Sequence, residues 1–197
     1  MPATRIDPTE ITAAILAGGA GTRLGGRDKG LEMLAGKPLI AHVIEALRGQ
    51  CGGLLICANR NPQTYARFAP VCADAAPGFH GPLAGISAAL AACQTDWLLT
   101  LPVDCPRPPA HLAQRLRTGV GSARAGVART QRVEPLFAVY RRELAAEAAA
   151  ALARDEPVWR WQQQIGAVEV DFTDVREAFM NLNTAGDFRR WEQGDHG

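Results

Sequence analysis

A chain of 197 residues, 47% apolar and 21% charged, is long enough to bury one large α/β core without disulfide or metal staples and leaves little room for a second independent domain. Its 21 basic and 20 acidic side chains leave a formal net charge of +1, so no bulk field points to DNA, RNA or a membrane surface, and a small partner is expected. Cys51, Cys57, Cys72, Cys93 and Cys105 are scattered without Cys-x-x-Cys spacing and read as reduced core thiols rather than disulfides or zinc ligands.

The N-terminal residues lack a basic patch followed by an apolar run, and no stretch approaches the ~18 apolar residues of a membrane span, so a cytosolic protein is expected. In chain order, Thr12 to Leu16, Leu54 to Ala58, Val71 to Ala73, Trp97 to Leu101 and Pro135 to Tyr140 are short apolar runs of buried-strand type. Helical stretches alternate with them. The first is expected from Pro38, with Ile40, Val43, Ile44 and Leu47 on one face and Gly49 beyond its end. Others are expected over Pro82 to Cys93, Pro108 to Leu116 and Arg142 to Ala153. A last one over Thr184 to Gln193 is capped by Thr184, with Asp187 three residues on. Gly119 to Gly126 reads as a mobile loop. The alternation predicts βαβ crossovers: one Rossmann-like, three-layer α/β/α domain with a mostly parallel sheet.

Open α/β sheets bind ligands where strand carboxyl ends splay, so the segment after the first strand carries most weight. It is glycine-rich and basic. Gly18, Gly19 and Gly21, repeated by Gly25 and Gly26, let bare backbone N–H groups approach a nucleotide, and Arg23 and Lys29 add cationic donors suited to phosphate. A Walker loop is excluded because Lys29 is followed by Gly30 and Leu31. A dinucleotide fingerprint is excluded because the third glycine and the acidic residue after the second strand are missing. None of His42, His80, His111 and His196 stands in a catalytic-triad or metal-ligand arrangement.

The segment Leu16-Ala-Gly-Gly-Ala-Gly-Thr-Arg-Leu-Gly-Gly-Arg-Asp-Lys-Gly-Leu31 resembles the signature of the molybdenum cofactor guanylyltransferases, which attach GMP to molybdopterin. Ala58-Asn59-Arg60, Gly81-Pro-Leu-Ala-Gly85, Leu101-Pro-Val-Asp104-Cys-Pro106, Glu134-Pro-Leu-Phe-Ala138 and Asn181-Leu-Asn-Thr184 resemble that family's other blocks in the same order. The resemblance covers nearly the whole chain. It implies a nucleotide-diphospho-sugar transferase-like fold, with a nucleotide half over about residues 10–110 and an acceptor half over about 111–197.

Carried over by position, the resemblance implies that Leu16, Ala17, Gly18, Gly19 and Gly21 meet GTP, that Lys29 neutralises phosphate and that Arg23 contacts phosphate or pterin. Asp104, rigidly held near Pro102 and Pro106 at a strand end, is the implied Mg²⁺ ligand; its alternative is a turn-capping Asp. Asp74 and Asn59 are implied nucleoside contacts. Asp74 has turn formation as its competitor, and some relatives carry an Asn where this chain has Cys57. Asn181 and Asn183 are implied to face molybdopterin or its molybdenum form, with turn and helix capping as the other reading. Gly81 to Gly85 opens a helix suited either to an anion or to close packing. For the acceptor, the tract Arg154 to Gln164 with Trp159, Arg160 and Trp161 has suitable chemistry, although Asp155-Glu156-Pro157 departs from the family pattern.

The implied reaction is transfer of GMP from GTP to the acceptor phosphate with loss of pyrophosphate. Cofactor-biosynthesis proteins or recipient apo-enzymes are the implied macromolecular partners. The rival readings are a sugar-phosphate nucleotidyltransferase, disfavoured by the short Gly25-to-Lys29 spacing, a cytidylyltransferase, and a catalytically silent nucleotide-binding module.

Overall fold

Six of the seven strands in the main sheet run one way and one runs against them in the computed structural model, which describes residues 7–18, 28–73 and 81–193. In chain order the strands are β1 (Ile11–Leu16), β2 (Met33–Leu34), β3 (Lys37–Pro38), β4 (Gly53–Cys57), β5 (Val71–Cys72), β6 (Trp97–Pro102), β7 (Ala125–Arg129), β8 (Val133–Arg141) and β9 (Val168–Asp171). The sheet order is β5-β4-β1-β6-β8-β7-β9, with β8 antiparallel to both neighbours; β2 and β3 form a separate short hairpin. The helices are α1 (Leu39–Ala46), α2 (Pro62–Tyr65), α3 (Pro82–Ala92), α4 (Leu112–Gly119), α5 (Ala145–Ala153), α6 (Val158–Gln164) and α7 (Ala185–Glu192).

Successive strand side chains point to opposite faces, and β1 divides its residues accordingly. Ile11, Ala13 and Ile15 pack with Ile40 and Val43 of α1 and Leu112 and Leu116 of α4. Ala14 and Leu16 pack with Leu83, Ile86 and Leu90 of α3, in a cluster that also holds Ala148 of α5 and Trp161 of α6. Because both faces are covered, the central strands read as unbroken apolar runs. Each fully buried Ile or Leu here stabilises the fold by about 1.5–3 kcal/mol relative to exposure.

The expected strands are all present within a residue or two, and α1 buries Ile40 and Val43, with its C-cap Leu47 also buried before a left-handed Gly49 (φ +77°). Three expectations need correction. The third helix begins at Leu112, not Pro108, after the run of prolines at 106, 108 and 109 that lack N–H donors. Gly119 to Gly126 is not one loop, since Gly119 ends α4 and Ala125 and Gly126 begin β7. Both glycines are packing positions: a Cβ on Gly119 would drive into Val170, and one on Gly126 would press on Val120 at 3.4 Å. Third, β7, β9, the β2–β3 hairpin, α2 and α6 were not among the expected elements. The five cysteines are all free thiols, and no helix among the described residues is long and apolar enough to cross a membrane.

Candidate active site

Four neighbouring parallel strands stop at one level. Leu16 is in register with Cys57 and Pro102, and Cys57 with Cys72. The ladder runs one step further, through Ala17 N–H to Cys57 O (2.9 Å), Ala58 N–H to Cys72 O (3.1 Å) and Val103 N–H to Leu16 O (3.1 Å). The carboxyl ends of β1, β4, β5 and β6 therefore share one edge, where an open sheet exposes backbone groups to a ligand.

Lys29, in the short 3₁₀ turn Lys29–Leu31, reaches this edge and donates from Nζ to Asp104 Oδ2 (2.8 Å) and to Asn183 Oδ1 (2.7 Å). Lys29 and Asp104 are about one-fifth exposed, so the pair is shielded without being sealed. An ammonium carries three N–H donors, and two are engaged among the described residues, leaving one for a further anionic oxygen. Asp104 stands two residues beyond Pro102. Its Oδ1 is buried with no hydrogen-bond partner among the described residues.

Asn183 is placed by the start of α7. Thr184 caps that helix through a reciprocal capping box with Asp187, as its spacing predicted. The Asp187 carboxylate accepts from the backbone N–H of Asn183 (2.8 Å) and Thr184 (2.7 Å). One residue earlier, Leu182 is fully buried with Leu34 and Leu39, and its N–H donates to Asp104 O (2.8 Å). The segment at 182–183 is therefore fastened to Asp104 twice, once through backbone and once through Lys29.

The remaining candidates separate clearly. Leu16, Ala17 and Gly18 lie at the end of β1, with Leu16 buried and Gly18 exposed. Asn59 is exposed in the turn after β4. Cys57 is buried inside the sheet with its thiol on Gly85 O (3.4 Å), so its side chain faces α3 rather than the edge. Gly19, Gly21, Arg23 and Asp74 lie outside the described residues. Asn181 stands beside the cluster in sequence, and its Oδ1 is buried with no hydrogen-bond partner among the described residues.

Gly81 to Gly85 does open α3, with Gly81 at φ +70° and Pro82 in the first turn. Gly85 lets the helix close on the sheet: a Cβ there would sit 3.3 Å from Leu16 and 3.4 Å from Cys57. The Arg154 to Gln164 tract forms α6, where Trp161 is buried against Tyr140 while Trp159 is half exposed under Arg160. Arg154 is paired with Glu156.

One residue of the site was not read from the sequence. Asp28, immediately before Lys29, accepts from the Tyr65 hydroxyl and from Asn61 Nδ2 (2.9 Å). The only signal was the position of Asp28 inside the quoted motif. Cys105, beside Asp104, is the buried free thiol expected from the sequence: it donates to Ala178 O (3.2 Å), and burial first, and the charge of Asp104 next, push it above the ordinary thiol range.

The donor set fits one hard divalent cation. No group of three or more His, Cys, Asp and Glu suited to a metal occurs among the described residues, so such an ion would rely on Asp104 and on ligand oxygens. Mg²⁺ commonly binds in that way, through one or two carboxylates plus phosphate oxygens, and the orphaned Asp104 Oδ1 is an oxygen in need of such a partner.

Residues 13–169 match the MobA-like NTP transferase domain. The chain is similar to a molybdenum cofactor guanylyltransferase of Ralstonia nicotianae, at 40% identity over 94% of this chain and 97% of the relative. It is also similar to one of Mannheimia succiniciproducens, at 41% identity over 90% of this chain and 96% of the relative. Among solved structures, the molybdopterin-guanine dinucleotide biosynthesis protein A of Archaeoglobus fulgidus matches with a TM-score of 0.77 at 25% identity, covering 93% and 98% of the two chains.

Proposed function

The chain belongs to the family of MobA-like NTP transferases, and from that premise we propose that it transfers GMP from GTP to the terminal phosphate of molybdopterin in its molybdenum form. Pyrophosphate leaves and the guanine dinucleotide of the cofactor is formed. The observation that carries this reading is the convergence of Lys29, Asp104 and Asn183 at the carboxyl edge of β1 and β6, from segments 75 and 154 residues apart.

The bond that forms joins an acceptor phosphate oxygen to the α-phosphorus of GTP, and the bond that breaks releases the β-phosphate oxygen. A phosphomonoester is already anionic near neutral pH, so the attack needs no general base. What the protein supplies is placement and charge compensation. The third N–H of Lys29 meets a triphosphate oxygen, and Arg23 adds a second cation. Leu16, Ala17, Gly18, Gly19 and Gly21 present backbone to the nucleotide, and Asn59 and Asp74 read the nucleoside. Asp104 would hold Mg²⁺, which supplies neutralisation of the charge on the departing pyrophosphate.

Asn183, and Asn181 beside it, belong to the acceptor side, so the Lys29–Asn183 bond joins the nucleotide half, at about residues 10–110, to the acceptor half, at about 111–197. Acceptor arrival would thereby be felt at the cation that holds the triphosphate.

The test is incubation of the protein with Mg²⁺, molybdenum-molybdopterin and GTP, CTP or UTP in competition. Pyrophosphate and a guanine dinucleotide should appear one for one. Preferential use of CTP or UTP, or nucleotide binding without pyrophosphate release, would overturn the proposal.

A further inference from the structure

Both chain neighbours of Lys29 meet one phenol. On one side, its predecessor Asp28 takes the Tyr65 hydroxyl through Oδ1 and Asn61 through Oδ2. On the other, its successor Gly30 has no side chain where Tyr65 stands: a Cβ would collide with that hydroxyl and lie 3.0 Å from Val103 Cγ2. Tyr65 is fully buried within the core that carries α1 and α4. A phenylalanine ring would fill the same space, so packing accounts for the ring and leaves the hydroxyl unexplained. Burying a hydroxyl is costly unless a partner offsets it, and the Asp28 carboxylate is that partner.

The turn that carries these donors is itself constrained. Asn61 adopts a left-handed backbone (φ +48°, ψ +40°), a conformation that costs a non-glycine residue energy and is best tolerated by Asn and Asp. Pro62 then starts α2, whose last residue is Tyr65. The turn after β4, where Asn59 lies, is thus fastened to the residue that precedes Lys29. Burial first, and the bond to Asp28 next, push the Tyr65 phenol above its ordinary range, which favours the protonated form that donates to Asp28.

We infer that Tyr65 is a positioning residue for triphosphate recognition, acting through Asp28 and through the space left by Gly30 to fix where the Lys29 ammonium stands. It touches no substrate itself. The inference rests on the proposed reading of Lys29 as the triphosphate cation, and it assigns a role in that reading to a side chain in the core.

The experiment is a double-mutant cycle on binding, without acceptor, using Tyr65→Phe, Lys29→Ala and the two combined. Dissociation constants for GTP and for guanosine are measured for each, with melting temperatures alongside. Tyr65→Phe should weaken GTP about tenfold and guanosine less than about twofold, and the loss should vanish when Lys29 is already alanine. Equal losses for GTP and guanosine, an undiminished loss in the Lys29→Ala background, or no loss at all would each overturn the inference alone. Lys29→Ala binding GTP as tightly as the unmodified protein would overturn the reading of Lys29 and the inference with it. Should Tyr65→Phe not fold, Asp28→Ala breaks the same link from its solvent side, and the same GTP-selective, Lys29-dependent loss is expected.

Discussion

Lys29–Asp104 and Arg115–Asp174 are ion pairs of nearly equal length, 2.8 and 2.7 Å, and by geometry alone the second is better, because the guanidinium holds both carboxylate oxygens. Their surroundings differ. Arg115 and Asp174 have side chains 35% and 62% exposed, whereas Lys29 and Asp104 are about one-fifth exposed and share a third partner, Asn183. Water screens the first kind of pair until it contributes little, while the second keeps its field. One pair is also complete and the other is not: among the described residues, Asp104 retains a buried oxygen without a partner and Lys29 a third donor. Unfinished polar groups in a shielded edge, fixed from several segments, mark a place prepared for a ligand better than the quality of any single bond.

That contrast can be broken experimentally, starting where the effect is largest. Lys29→Ala is expected to lower kcat/KM for guanylyl transfer by about 10²–10³-fold, the scale on which one preorganised charge acts at a phosphoryl centre. Steady-state pyrophosphate release measures it. Next, Asn183→Ala should cost about tenfold, because Lys29 keeps Asp104 but loses the contact that fixes its direction. A third expectation concerns both tyrosines of the chain, Tyr65 and Tyr140. Burial, the leading cause at each, raises both phenols above their ordinary value of 10.0, so only the unfolded chain ionises them readily. Their contribution to stability is therefore full below about pH 10 and drains as pH rises beyond it. Phenolate absorbance should appear only with unfolding, and both rings should report together; a single early titration would contradict the assigned burial. Smallest of all, Arg115→Ala should leave turnover unchanged and shift the melting temperature by no more than about 2 °C. A large loss of activity there would erase the distinction between the two pairs.

Much of the nucleotide-side framework was legible because it rests on local signals. Ile11 to Leu16 and Trp97 to Pro102 are buried on both faces and so read as apolar runs, and the Thr184–Asp187 cap is written in a spacing of three. The far side was harder. Edge strand β9 buries only Val170 among four residues, and β7 is built of small residues whose glycine reflects packing on Val120 rather than a turn. The likeness to known guanylyltransferases pointed to Lys29, Asp104 and Asn183 separately. Only the fold places Asn183 on Lys29, and nothing in the spacing of residues 28 and 65 announces that a buried tyrosine meets Asp28. Pairings across many residues are products of topology, and periodicity carries no record of them.

On the proposed reading, Asp104 acts through its charge at a triphosphate site rather than as a structural turn residue. Asp104→Asn tests it most directly, since the amide preserves shape and can still accept from Lys29 while the negative charge is lost. Guanylyl transfer in the presence of Mg²⁺ should fall by at least about 10²-fold, with the melting temperature unchanged to within about 2 °C. Turnover near that of the unmodified protein would contradict the account.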